Sequence, residues 1–73
     1  MNLYKDDEVT VTIVSANDEI IKVHCKSIYG DDFTKKYIID ETDEWLYEFD
    51  SDLRTMGISD TNEILLYVDD LFA

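Results

Sequence analysis

The sequence predicts a small α+β fold in which a three-stranded antiparallel meander is followed by a two-helix hairpin packed on one face of the sheet. Apolar and polar residues alternate up to residue 39, which is the period of a half-buried strand, and from residue 43 the apolar residues recur at helical spacing. The 73 residues include no proline and only two glycines, so no segment is typical of a linker. We therefore expect residues 1–73 to form a single domain.

Three runs of alternating residues predict the strands, at residues 9–14, 20–29 and 33–39. Asn17-Asp18 joins the first two runs and Gly30-Asp31-Asp32 joins the last two. Both segments favour turns, because these residue types tolerate turn backbones and hydrogen-bond locally. Connections this short favour an antiparallel meander.

The first helix is predicted over residues 43–56. Thr42 or Asp43 can cap its start, and Gly57 just beyond it is typical of the left-handed residue that ends a helix. Its apolar stripe consists of Trp45, Leu46, Phe49, Leu53 and Met56.

The last segment fits two structures. Asp60 with Glu63 resembles a capping box before a second helix. The run 64–68 also fits a buried strand, as at the end of a ubiquitin-like fold, and Asp69 and Asp70 stand at the unfavourable end of a helix dipole. The second apolar stripe consists of Ile64, Leu65, Val68, Leu71 and Phe72. We favour the helix because the stripe and the cap agree.

The net charge of −12 is unevenly distributed along the chain. Residues 1–39 hold seven acids and five lysines, a net −2, whereas residues 40–73 hold eleven acids and one arginine, a net −10. Direct binding to a nucleic-acid backbone needs the opposite sign, since Lys and Arg neutralise phosphates there. The acidity therefore belongs to the predicted helical half, and it excludes a nucleic-acid ligand.

The sequence offers no catalytic or metal-binding motif. His24 and Cys25 are the only residues of their kinds, and as neighbours on a strand they point to opposite faces, so we expect no dyad, no zinc site, no cofactor and no enzymatic activity. A single cysteine favours a reducing compartment, the cytoplasm. No apolar run is long enough to span a bilayer, so we also expect no membrane partner.

Acidic residues follow the first helix at a spacing close to that of phosphates. A helix over residues 43–56 is about 21 Å long, and its five acids give about one charge per 4 Å, against about 3.4 Å between phosphates of one DNA strand. Like charges at i, i+4 destabilise a helix, so solvation or a partner must account for them. The candidate partner-binding residues are Asp40, Glu41, Asp43, Glu44, Tyr47, Glu48, Asp50, Asp52, Asp60, Glu63, Tyr67, Asp69 and Asp70.

A meander with turns at Asn17-Asp18 and Gly30-Asp31-Asp32, followed by acidic helices, resembles small acidic phage-encoded anti-CRISPR proteins that act as DNA mimics. The resemblance implies a stoichiometric inhibitor in the host cytoplasm. Its carboxylates would occupy the basic groove of a nucleic-acid-binding protein such as a Cas effector. The lysines of the second and third strands depart from a mimic that is acidic all round.

Two other functions fit the same residues. The chain could be an immunity protein or antitoxin, which would use its acids to neutralise a cationic nuclease. If the last segment is a strand, the chain could instead be a small ubiquitin-like adaptor module. In each case the partner is a protein. We expect a monomer or a small homodimer, because a second copy can complete a core this small.

Overall fold

The computed structural model describes residues 1–71, which form a four-stranded antiparallel sheet and two helices. The strands are β1 (Asn2–Lys5), β2 (Val9–Ala16), β3 (Ile20–Ser27) and β4 (Asp32–Ile38). They follow one another across the sheet in chain order. The helices are α1 (Glu44–Thr55) and α2 (Asn62–Leu71). The predicted α+β class, with an antiparallel meander followed by two helices, is confirmed.

The prediction of three strands is wrong by one, because β1 forms an edge of the sheet. Asn2-Leu3-Tyr4-Lys5 is too short to display an alternation, and its pairing with β2 contains a register shift. Asp6 forms the turn that brings β1 back onto β2: its Oδ1 accepts hydrogen bonds from the backbone N–H groups of Glu8 and Val9, each at 2.7 Å. In the sequence this turn is hidden inside a run of acids.

The two predicted turns are confirmed. Between β2 and β3, Asn17 Oδ1 accepts hydrogen bonds from the backbone N–H groups of Glu19 at 2.8 Å and Ile20 at 2.9 Å. Between β3 and β4, Gly30 has φ 105°, a backbone conformation that a residue with a Cβ rarely adopts. Asp32, predicted as part of this turn, is instead the first residue of β4.

One face of the sheet is buried beneath the helices, with α1 lying against β4 and α2 against β1. The alternation predicted for the second strand is confirmed, because every second side chain of β3 enters the core. The buried apolar residues of the sheet are Val9, Val11, Ile21, Val23, Cys25 and Tyr37. Those of the helical half are Trp45, Phe49, Leu53, Met56, Ile58, Ile64 and Val68. Phe72, which the sequence assigns to the second helical stripe, lies outside the described residues.

The predicted end of the first helix is confirmed. Gly57 has φ 93° and donates its backbone N–H to the carbonyl of Arg54 at 3.0 Å, and Ile58 donates to the carbonyl of Leu53 at 3.2 Å. These two bonds form the Schellman pattern, which satisfies carbonyls that the helix leaves without a partner.

The helix starts differ from their predictions in detail. Asp43 precedes α1 with φ 58° and makes no capping hydrogen bond, while the Thr42 hydroxyl accepts one at 3.4 Å from the backbone of Glu44. The last segment is helical, which excludes the strand and with it the ubiquitin-like ending. The carbonyl of Thr61 receives the first helical hydrogen bond of α2, so Thr61, and not Asp60, is the capping residue.

Candidate partner-binding surface

Two acids of α1, Glu48 and Asp52, contact side chains of β4. Lys35 on β4 places its Nζ 2.7 Å from Glu48 Oε1 and 2.8 Å from Asp52 Oδ2. The Tyr37 hydroxyl donates a hydrogen bond to the same Asp52 oxygen at 2.7 Å. The bonds to Asp52 and Glu48 raise the pKa of Lys35. These contacts join the sheet to α1, so Glu48 and Asp52 have a structural role that requires no partner.

A third acid, Asp50, joins the end of α1 to the start of α2. Its carboxylate accepts hydrogen bonds from the Thr61 hydroxyl and from Arg54 Nε, the latter at 3.1 Å. The bond from Thr61, followed by the bond and the charge of Arg54, holds the pKa of Asp50 below its ordinary value. Arg54 also donates to the carbonyl of Ser59 at 3.3 Å, which secures the connection between the two helices.

Two further acids serve turns. Asp40 Oδ1 accepts hydrogen bonds from the backbone N–H of Thr42 at 3.0 Å and from its hydroxyl at 2.7 Å. Asp60 Oδ1 accepts one at 3.3 Å from the backbone N–H of Asn62. Both acids are exposed. They shape the loops before the helices while remaining at the surface.

Six of the predicted acids are exposed and have no side-chain hydrogen bond or ion pair within residues 1–71. They lie in the loop before α1, at the start of α1, and along α2. They are Glu41, Asp43, Glu44, Glu63, Asp69 and Asp70. The two predicted tyrosines, Tyr47 and Tyr67, are also exposed, and the Tyr67 hydroxyl donates to the sulfur of Met1 at 3.0 Å. The free carboxylates therefore occupy α2 and the start of α1, and not the middle of α1.

A groove of about 480 Å³ lies between α1 and α2. From α2 it is lined by residues at the spacing i, i+3, i+4 and i+7, which places them on one helical face: Asn62, Leu65, Leu66 and Asp69. From the start of α1 it is lined by Asp43 and Leu46. We call these six residues the acid-rimmed groove. Leu66 is 70% exposed, so apolar surface is open to solvent between carboxylates.

The acid-rimmed groove continues onto the outer side of α2. A shallow depression of about 530 Å³ there shares Leu66 and Asp69 with the groove and adds Glu63, Tyr67 and Asp70. The two concavities form one continuous surface, in which carboxylates alternate with exposed leucine and tyrosine. Charged residues around large apolar side chains are typical of protein interfaces.

The lysines of β3 and β4 lie mainly on the opposite side of the molecule. Lys22 and Lys36 face each other across the ladder on the uncovered face of the sheet, and Lys26 faces Asp32. His24 Nε2 lies 2.6 Å from Asp32 Oδ1, a contact that lowers the pKa of Asp32. The two kinds of charge therefore lie on separate faces of the molecule: lysines on the uncovered face of the sheet, and carboxylates on the surface of the helices.

His24 and Cys25 point to opposite faces, and burial raises the pKa of the Cys25 thiol to about 11, which keeps it out of the reactive thiolate form. Within residues 1–71, no three His, Cys, Asp or Glu side chains lie close enough to hold a metal ion. Neither of the described helices is long and apolar enough to cross a membrane.

Three leucines of this surface are missing from the residues predicted to bind a partner. The sequence assigns Leu46 and Leu65 to core stripes, and both are only half-buried in the structure. Leu66 falls outside the core stripe. The signal for Leu65 and Leu66 is the spacing of Asn62, Leu65, Leu66 and Asp69, which places both leucines on one face of α2. Leu46 lies on α1, so this spacing does not identify it.

Comparisons with protein-family models, with curated proteins and with solved structures give no match for this chain.

Proposed function

We propose that this chain is a stoichiometric protein inhibitor that mimics nucleic acid and blocks a basic nucleic-acid-binding site, as an anti-CRISPR or similar anti-defence protein does. The observation that carries the proposal is the set of six exposed carboxylates on the helical half that have no side-chain partner within residues 1–71. The lysines of the uncovered sheet face, Lys22, Lys26 and Lys36, lie away from these carboxylates.

The proposed mimicry depends on α2 and the start of α1. Glu48, Asp50 and Asp52 are already bonded to Lys35, Arg54 and Thr61, and a partner that recruited them would have to break those bonds. Glu63, Asp69 and Asp70 have no such bonds within the described part of the chain, so they can accept hydrogen bonds from arginine and lysine without that cost.

The mechanism is electrostatic capture followed by short-range contact. A net charge of −12, concentrated on one side, accelerates association with a basic groove and makes it sensitive to salt. Leu66 and Tyr67 then fix the position of the two proteins by apolar contact that salt does not screen. The inhibitor occupies the cations that would otherwise bind phosphates, so nucleic acid and inhibitor compete.

The test uses host proteins first enriched on a DNA column. These proteins are passed over the immobilised chain, and the retained partner is challenged with duplex DNA or RNA and with about 0.5 M salt, where charges are screened within a few ångströms. We expect nucleic acid and salt each to release the partner, and the free chain to displace nucleic acid from it at one-to-one stoichiometry.

The control is a pair of double variants with the same change in net charge. Asp69→Lys with Asp70→Lys removes carboxylates from the proposed surface. Asp7→Lys with Asp18→Lys reverses exposed acids in the turns of the sheet that make no side-chain bond within residues 1–71. Capture lost only in the first variant supports the proposal, and equal capture by both contradicts it. A captured nuclease that still binds nucleic acid but no longer cleaves it would replace the proposal with an immunity protein.

A further inference from the structure

We infer that the acid-rimmed groove binds a basic amphipathic helix of the partner. The inference rests on the proposed function and deepens it, because it names the structural element that the inhibitor recognises. Leu46, Leu65 and Leu66 form the apolar part of the groove's lining, and the two helical walls each contribute a carboxylate, Asp43 at the start of α1 and Asp69 on α2.

The apolar lining of the groove is the feature that phosphate mimicry alone does not explain. A surface that only imitates a nucleic-acid backbone needs carboxylates, whereas here Leu66 exposes 70% of its surface among them. The groove's volume of about 480 Å³ lies within the range of about 300–1,000 Å³ typical of ligand sites. A partner therefore gains by inserting apolar side chains as well as by pairing charges.

The chemistry of the rim determines the character of the occupant. An amphipathic helix carries apolar residues at i, i+3 or i+4 and i+7, with cations on its flanks. Laid in the groove, its apolar side meets Leu65 and Leu66 while lysine or arginine on either flank meets Asp43 and Asp69. Carboxylates on both sides of the groove exclude an acidic helix for the same reason.

Two other occupants fit less well. An added β-strand needs a free backbone edge, and the walls of this groove are helices whose backbone groups are bonded internally. A second copy of the chain carries another net charge of −12, so repulsion opposes the association of two copies. Both observations favour a basic helix from a different protein.

The experiment uses synthetic peptides with the isotope-labelled full chain. One peptide has lysine and leucine at amphipathic helical spacing, a second has the same composition in strict alternation, and a third is oligolysine of equal charge. We expect the helical peptide to bind about tenfold more tightly than the other two and to shift the NMR signals of Leu46, Leu65 and Leu66.

The matched variants are Leu66→Ser and Ile38→Ser. Leu66 is 70% exposed in the groove, and Ile38 is 69% exposed on the uncovered face of the sheet, so neither change empties the core. We expect Leu66→Ser to lower the affinity for the helical peptide about tenfold, and Ile38→Ser to leave that affinity unchanged.

Two results would overturn the inference: equal binding of the three peptides, or unchanged affinity in Leu66→Ser. Either would leave the proposed function standing, because competition between the captured partner and nucleic acid is measured separately. Conversely, a helical peptide that binds in the groove while nucleic acid fails to compete for the partner would reject the proposed function and retain the groove.

Discussion

The hydroxyl of Tyr37 on β4 donates a hydrogen bond to Oδ2 of Asp52 on α1 across 2.7 Å. The same oxygen lies 2.8 Å from Lys35 Nζ, and that ammonium stands 5.2 Å from the centroid of the Tyr37 ring. The ring itself packs against Phe49 with 5.2 Å between centroids. One buried side chain thus connects the apolar core to the polar contact between sheet and helix.

Tyr37→Phe should destabilise the protein moderately without altering its fold. The change keeps the ring packing and removes one donor, while Asp52 retains Lys35, so no buried charge is left alone. A hydrogen bond to a partly buried carboxylate contributes about 1–2 kcal/mol to the free energy of unfolding. Urea unfolding followed by the fluorescence of the buried Trp45 measures it, and an unchanged midpoint would show that the bond does not stabilise the fold.

Alkaline titration should separate Tyr37 from the other four tyrosines. Burial, and next the bond to Asp52, raise the pKa of Tyr37, so its neutral form stabilises the folded state. That stabilisation is complete below the ordinary tyrosine pKa of about 10 and is lost as pH rises above it. We expect near-ultraviolet absorbance to show one tyrosine ionising only together with unfolding. Tyr37→Phe should abolish that step, and ionisation of all five before unfolding would contradict it.

Local periodicity explains what could be predicted from the sequence, and its limits explain the rest. The buried alternation of β3 and the stripe of α1 repeat along the chain, so they are visible without a structure. The contact between Lys35 and Asp52 joins residues 17 positions apart, which no local period contains. A usable signal exists nonetheless: Lys35 shares the buried face of its strand with Tyr37, and a lysine in that position requires an acidic partner.

The charge of the candidate surface could be predicted from the sequence, but the bonding of its individual acids could not. Counting acids along α1 measures charge density but not which carboxylates are already bonded, and Glu48, Asp50 and Asp52 prove to be occupied. Bonding of that kind depends on how helices and sheet pack. The groove depends on packing too, because Leu65 belongs to a core stripe by its spacing, yet it is only half-buried in the structure and lines the groove.

Asp50→Asn should destabilise the protein near neutral pH and have little effect in acid. The hydrogen bond from Thr61, followed by the hydrogen bond and charge of Arg54, lowers the pKa of Asp50. The charged form of Asp50 therefore stabilises the folded state at pH values above the ordinary aspartate pKa of about 3.9. The stabilisation is lost as pH falls through the lowered value. We therefore expect the urea midpoints of variant and wild type to differ at about pH 7 and to converge as pH falls through the lowered pKa of Asp50. Asp18→Asn, at an exposed unbonded acid, is the control, and a difference that persists in acid would contradict the role of this carboxylate.

Asp69→Lys with Asp70→Lys should make the protein more stable while removing its proposed binding activity. The last turn of α2 holds acids and no basic residue, although the negative end of the helix dipole favours cations. Each reversal therefore adds about 0.3–1 kcal/mol to the free energy of unfolding at low salt. Asp7→Lys with Asp18→Lys is the control, because it changes the net charge by the same amount at positions away from any helix end. It therefore separates the effect of the helix dipole from the relief of overall charge repulsion. Thermal unfolding measures stability, and capture of the basic partner measures binding. If the variant is more stable but no longer captures the basic partner, Asp69 and Asp70 serve recognition and lower the stability of the helix. If it is more stable and still captures the partner, the two acids serve only to solvate the surface.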